Sequence, residues 1–237
     1  MPLLRVVLVD DHPLVTEVLK QVLVESGEFV VMATLHDGES VLPYLETTPV
    51  DILLLDLRLP GISGLEVLRA VRDRFPKIKV VICSGIGTEY SIGAAYSAGV
   101  HTFIEKNADV ADFLATMREV ARGRDPLPGR TAEVLRTLVR QNRTMKPLGA
   151  KDVEILRRLA SNQSPKEIAA SLGMSQSAVY KARDRLAERT GAKNAADFFN
   201  IACDWGLIGP DGARFDAGWA RPVRAAEVAP SAPSHSP

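Results

Sequence analysis

The sequence predicts an α/β chain: a five-stranded, doubly wound parallel sheet joined to a smaller all-α domain. Three observations carry this. Short apolar runs without polar alternation recur along the first half, as in parallel strands buried on both faces. Each is followed by a stretch of helical periodicity, and the alternation repeats five times before it stops near residue 123. Beyond it come only helical patterns, separated by glycine and capping residues.

Leu3 to Val9 is the first strand, broken only by Arg5, and it ends in Asp10 and Asp11. Pro13 suits a helix's first turn, and Leu14, Val18 and Val22 with Val15, Leu19 and Leu23 repeat at i, i+4 to about Ser26. Phe29 to Thr34 is the second strand, and Asp37 with Gly38 opens a helix to about Thr47. Ile52 to Leu55 is four apolar residues that run straight into Asp56 and a Pro/Gly-rich loop. Leu65, Val67, Leu68 and Val71 mark a helix that ends before Pro76. Lys79 to Ser84 is the fourth strand, Ser91 to Ala98 a small-residue helix, Thr102 to Glu105 a short fifth strand, and Asp109 to Arg122 the closing amphipathic helix. With no GxGxxG and no GxxxxGKS/T, the chain lacks the phosphate loops of nucleotide-binding versions of this architecture.

The expected organisation is a sheet domain over 1–123, a linker with a helix near Thr131 to Arg140 over 124–147, a helical domain over 148–208, and a disordered Ala/Pro/Gly/Ser-rich tail over 209–237. A zero formal charge hides an offset: 11 Lys and Arg face 17 Asp and Glu up to Gly123, against 18 and 12 beyond it. That fits a cation-binding module joined to one that meets a polyanion. No apolar run approaches the roughly 18 residues of a membrane span, and acidic residues come too early for a signal peptide, so a cytoplasmic protein is expected. Cys83 and Cys203 are read as packing residues. His12 and His101 are left as turn or surface residues.

The strand ends carry the chemistry. Asp10, Asp11, Asp56, Ser84 and Lys106 all fall where buried strands stop, and in open α/β sheets ligands bind at that edge. Gathered carboxylates repel unless a cation joins them, and an oxygen-only set suits Mg²⁺. Asp56 is then placed to attack phosphorus, with Lys106 neutralising phosphoryl oxygens and the Ser84 hydroxyl donating to one.

The run VDDHPLV, the spacing of Asp56, Pro60 and Gly64, Ser84 after an apolar strand, and AGVHTFIEK together resemble the receiver domain of a bacterial response regulator, a flavodoxin-like fold. The resemblance covers about Leu3 to Arg122. It implies that Asp56 is the phosphoacceptor, that Asp10, Asp11 and Asp56 hold Mg²⁺ with the backbone carbonyl of Arg58, and that Lys106 contacts the phosphoryl group. It also implies a switch pair: Ser84 moves toward the phosphoryl oxygen and the Phe103 ring rotates inward behind it. By the same resemblance Arg58 and Ile86, which flank the site, are expected to tune phosphoryl lifetime. Asn107 departs from the family, which has proline after the lysine.

In the rear half, KEIAASLGMSQSAVYKARDRL has the form helix, glycine turn, second helix, with Ser164 and Glu167 as a capping box before it. A plain helical bundle shows the same apolar spacing, but Lys181, Arg183, Arg185 and Arg189 outnumber Asp184 and Glu188 along the second helix. The stretch from Leu148 is similar to the LuxR-type helix-turn-helix, which behind a receiver defines the NarL/FixJ class. By that resemblance Tyr180, Lys181, Asp184 and Arg185 face bases or nearby phosphates, while Lys166, Ser177 and Arg189 contact phosphates. The family's T-V-K-x-H is here Ala178, Val179, Tyr180, Lys181 and Ala182, so the target site is expected to be atypical.

The resulting expectation is a response regulator, not an ordinary enzyme, since it processes only its own phosphoryl group. Its expected partners are a sensor histidine kinase, promoter DNA and a second copy of itself when phosphorylated. The alternative is a receiver-controlled interaction adaptor whose helix-turn-helix no longer reads DNA. A haloacid-dehalogenase-like hydrolase also uses a strand-end Asp, but its second Asp is replaced here by Arg58.

Overall fold

A computed structural model describes residues 3–85, 87–140, 148, 150–204 and 207–208. The expectations for Ile86, for the last part of the linker and for the tail lie outside these residues. Five parallel strands, β1 (Leu4–Val9), β2 (Phe29–Leu35), β3 (Ile52–Leu55), β4 (Lys79–Ser84) and β5 (Thr102–Glu105), form one sheet in the order β2-β1-β3-β4-β5. This is the doubly wound α/β arrangement expected, with β3 at the centre and all four of its residues buried. The β1–β2 ladder shifts register between Val6 and Val7.

Helices α1 (Pro13–Glu25), α2 (Val41–Thr47), α3 (Gly64–Arg74), α4 (Glu89–Ser97) and α5 (Val110–Ala121) connect and flank the strands. Alternate residues of the central strands feed two cores. Val6, Leu8, Ile52, Leu54, Val81 and Ile104 pack with Phe113 and Met117 of α5, while Val7, Val9, Leu53, Leu55, Val80 and Ile82 pack toward α3 and α4. The period-2 alternation of a strand thus serves both faces, which is why the runs read as continuously apolar.

For helices α2 and α4, local hydrogen bonds move the start from where the periodicity places it. Helix α4 starts two residues before Ser91, because Thr88 caps it by accepting from Ser91 N at 3.0 Å. Helix α2 starts at Val41 rather than near Asp37. There the Asp37 carboxylate accepts from Ser40 N at 2.8 Å and holds the preceding residues in a turn.

Helix α6 (Gly129–Arg140) follows, and Thr131 Oγ1 donates to the Phe103 carbonyl oxygen at 3.2 Å. The remaining helices are α7 (Ala150–Ala160), α8 (Pro165–Leu172), α9 (Gln176–Thr190) and α10 (Ala195–Asp204). Ser164 and Glu167 form a capping box on α8, and Gly173 ends it at φ +61°, the left-handed conformation that permits the tight turn into α9. Val134 and Leu138 of α6 and Leu186, Phe198 and Ile201 of α9 and α10 share one buried cluster with Tyr90, Ile92 and Ala94 of α4. The helical part is therefore seated on the α4 side of the sheet domain.

Candidate functional site

Backbone hydrogen bonds continue the strand ladders one residue past their ends and align the polar residues there. Asp56 N donates to Val9 O at 2.8 Å, Asp10 N to Leu35 O at 3.0 Å, and Lys106 N to Ser84 O at 2.9 Å. Asp10 and Asp56 thus leave adjacent strands side by side, where the strand order reverses and ligands bind in such sheets. Gly64 lets α3 close on this edge, since a Cβ there would stand 2.0 Å from the Asp56 carbonyl oxygen. The glycine eight residues after Asp56 is required by that close approach.

Lys106 Nζ bridges Asp56 Oδ2 at 2.6 Å and Asp10 Oδ2 at 2.7 Å, with its side chain only 15% exposed. Burial pushes the Asp56 carboxyl above the ordinary carboxylate range; Lys106 pulls it down without prevailing, and Asp10 adds to the rise. Burial alone acts to lower the Lys106 ammonium, yet Asp56 and Asp10 together leave it above its usual value. The Ser84 hydroxyl also favours the Asp56 anion, but weakly, because no hydrogen bond of good geometry joins the two. Asp56 Oδ1 and Ser84 Oγ are buried without a hydrogen-bond partner. Buried polar atoms left so are costly, and an unpartnered carboxylate oxygen beside an unpartnered hydroxyl favours a bound charged group.

His12, which the sequence leaves as a turn residue, belongs to this cluster. Its Nδ1 stands 3.1 Å from Asp10 Oδ1 and 2.8 Å from Asp11 Oδ1, although its ring is 60% exposed. The only sequence signal was its place directly after the acid pair. Ligand atoms of Asp10, Asp11, His12 and Asp56 all lie within 4.8 Å of one another. His101 is structural: its Nδ1 accepts from Val80 N at 3.0 Å. Cys83 is buried, and burial raises its thiol to about 12.

The Phe103 ring is the aromatic half of the expected switch pair. It is fully buried in this structure, packed in the core on the α4 side of the sheet. Gly87 makes room for it, since a Cβ there would stand 3.3 Å from the ring. The Arg58 side chain is half-buried and donates to Asn200 Oδ1 of α10 at 3.2 Å. The sequence held no signal for that contact across 142 positions.

On the helical part, Lys166, Ser177, Tyr180, Lys181, Asp184 and Arg185 are all exposed. Several are paired within the chain. Arg185 is bonded to Asp152 of α7, and Arg183 sits 5.3 Å from the Tyr180 ring centroid and 2.9 Å from Asp184. Arg189 is half-buried, bonded to the same Asp152 at 3.1 Å and close enough to Tyr90 of α4 to act on its hydroxyl. Arg189 is thus less exposed than the other expected contact residues and shares its partner with Arg185.

Comparison with known proteins adds to this geometry. The model of the response regulator receiver domain matches residues 6–118. The chain is 30% identical over 193 residues to the probable transcriptional regulatory protein SgaR of Hyphomicrobium methylovorum, covering 81% of this chain and 89% of that one. It is 22% identical over 199 residues to EvgA of Escherichia coli, a DNA-binding transcriptional activator, covering 84% and 97%. Among solved structures it is similar to RcsB of Salmonella enterica serovar Typhimurium bound to promoter P1flhDC with the phosphomimetic BeF3⁻. There the TM-score is 0.69 at 18% identity, over 86% of this chain and 99% of that one.

Proposed function

The chain belongs to the response regulators that carry a receiver domain, and from that premise we propose that Asp56 accepts a phosphoryl group from a sensor histidine kinase and thereby controls DNA binding. Residues 1–123 are the receiver, 124–147 the linker and 148–208 the DNA-binding module. The observation that carries the reading is the Lys106 ammonium held between Asp56 and Asp10, beside an Asp56 oxygen with no partner.

One Asp56 oxygen attacks the phosphorus of a phosphohistidine. The O–P bond forms as the P–N bond breaks, and the imidazole nitrogen keeps the electron pair and takes a proton from solvent. Lys106, already charged and oriented, pairs with phosphoryl oxygens, and Ser84 donates its unspent hydroxyl proton to one of them. Asp10, Asp11 and Asp56 with the Arg58 backbone carbonyl would hold Mg²⁺, which when bound offsets the charge gathered on the transferred group. Their oxygen-rich donor set and the unpartnered Asp56 oxygen fit that ion. The receiver processes only its own phosphoryl group and is not a turnover enzyme toward other substrates.

The DNA-binding part is supported by the EvgA and SgaR relatives and by the exposed polar face of α9. Tyr180, Lys181, Asp184 and Arg185 are assigned to bases or nearby phosphates, and Lys166, Ser177 and Arg189 to phosphates. Phosphorylated copies bind promoter DNA as a homodimer in the cytoplasm. No helix among the described residues is long and apolar enough to cross a membrane.

Acetyl phosphate with Mg²⁺, applied to wild type and Asp56→Asn and followed by intact mass, tests the acceptor. Wild type is expected to gain one phosphoryl group and the variant none; a gain in the variant removes Asp56 from its role. A footprint of phosphorylated protein on promoter DNA tests the output, and its absence favours the adaptor reading.

A further inference from the structure

His12 brings a nitrogen to an edge whose other donors are oxygens. Resting on the reading above, we propose that the His12 imidazole is a ligand of the divalent site, and that it shifts the preference of that site from Mg²⁺ toward first-row transition ions such as Mn²⁺ and Zn²⁺.

The donor atoms already converge. One ligand atom each from Asp10, Asp11, His12 and Asp56 lies within 4.8 Å of all the others. Lys106 takes Oδ2 of both Asp10 and Asp56, which leaves Asp56 Oδ1, on a residue only 3% exposed, with no hydrogen-bond partner. A buried carboxylate oxygen left so calls for a ligand. At the other oxygen of Asp10 stands His12, its Nδ1 3.1 Å from Asp10 Oδ1 and 2.8 Å from Asp11 Oδ1. Two ligands at right angles on an ion with bonds of about 2.1 Å are themselves about 3.0 Å apart, so these spacings suit neighbouring ligands. Hydrogen bonding accounts for them less well. A ring nitrogen carries at most one hydrogen; the contact with Asp10 is aligned as a hydrogen bond, and the shorter one with Asp11 is not.

The backbone puts the ring there. His12 N donates to Asp10 Oδ1 at 2.9 Å, which folds residue 12 back on the first acid. His12 is also the cap residue of α1, but its side chain makes no capping bond, so the ring is not committed to the helix. Imidazole adds affinity for Zn²⁺ and its first-row neighbours. Mg²⁺ gains least from a nitrogen, because it is a hard ion that takes oxygen ligands and keeps its waters.

Full-length protein is titrated calorimetrically with Mg²⁺ and with Zn²⁺, and its Mn²⁺ form is measured by pulsed electron paramagnetic resonance. Wild type is expected to show a nitrogen coupled to Mn²⁺ that His12→Ala abolishes. His12→Ala should also reduce the ratio of Zn²⁺ to Mg²⁺ affinity about tenfold or more. Asp11→Asn is expected to weaken both ions, which locates them at this edge. Because the His12 ring is exposed and caps nothing, its removal does not threaten the fold.

No nitrogen coupling in wild type, coupling that survives in His12→Ala, an unchanged affinity ratio, or affinities untouched by Asp11→Asn would each overturn the proposal. So would tighter binding of both ions by His12→Ala, which would make the imidazole a competitor for the carboxylates and not a ligand. Failure of the underlying reading looks different: acetyl phosphate with Mg²⁺ would leave wild type without a phosphoryl group, or would add one to Asp56→Asn.

Discussion

Asp56 and Lys106 set the terms at the scale of single residues. Asp56 is buried beside Asp10, and its carboxyl is raised because burial outweighs the Lys106 charge. An acid raised in the folded state makes folding release no proton but retain one, so its ionisation lowers stability as pH climbs from the unfolded value through the folded one. At neutral pH without divalent ion, Asp56→Asn is therefore expected to stabilise the chain by about 1–2 kcal/mol, read from urea unfolding. Asp51 has the opposite sign. Arg5 donates to it from Nε at 3.0 Å, from Nη2 at 2.9 Å and from its backbone N at 2.8 Å, and these bonds hold the Asp51 carboxyl below its usual range. Its contribution is present above the ordinary Asp pKa of about 3.9 and is lost as pH falls through the lower folded value. Because both side chains are about a third exposed, Asp51→Asn should cost no more than about 1 kcal/mol at pH 7. The gap to wild type should close in unfolding curves taken below the ordinary Asp pKa.

Helix α9 is the element on which DNA affinity depends. Its outward side chains are partly satisfied within the chain, since Asp152 binds both Arg185 and Arg189, and Arg183 is bonded to Asp184. DNA must compete with those pairs, whereas among the described residues no ion pair involves Lys181. Lys181→Ala should weaken binding and reduce the slope of log K against log salt by about one unit, as expected for one lost phosphate contact. A slope unchanged in a salt titration would move Lys181 off the DNA face. This helix was legible beforehand because a serine cap, the left-handed Gly173 and buried Val179, Ala182 and Leu186 are local signals. The start of α4 was less so. Thr88 as its cap competes with a run of small residues that carry almost no amphipathic pattern.

The whole molecule is held by a core that does not stop at the linker, because α4 contributes Tyr90 to a cluster with α9 and α10. Tyr90 is 2% exposed, so Tyr90→Ala should cost about 3–4 kcal/mol and separate one calorimetric transition into two. A single unshifted transition would mean that the seat adds nothing to stability. By itself the sequence determined the parallel α/β architecture, the helical rear half and the set of strand-end polar residues. Strand burial, turn chemistry and the resemblance of the motifs are all written within a few residues of each position. Only the tertiary structure decided that Lys106 spans both Asp10 and Asp56, that His12 closes the acidic cluster, that the Phe103 ring is fully buried, and that Arg58 reaches Asn200. Those are contacts between side chains far apart in the chain, fixed by how helices seat on a sheet, and no local pattern encodes the distance between them.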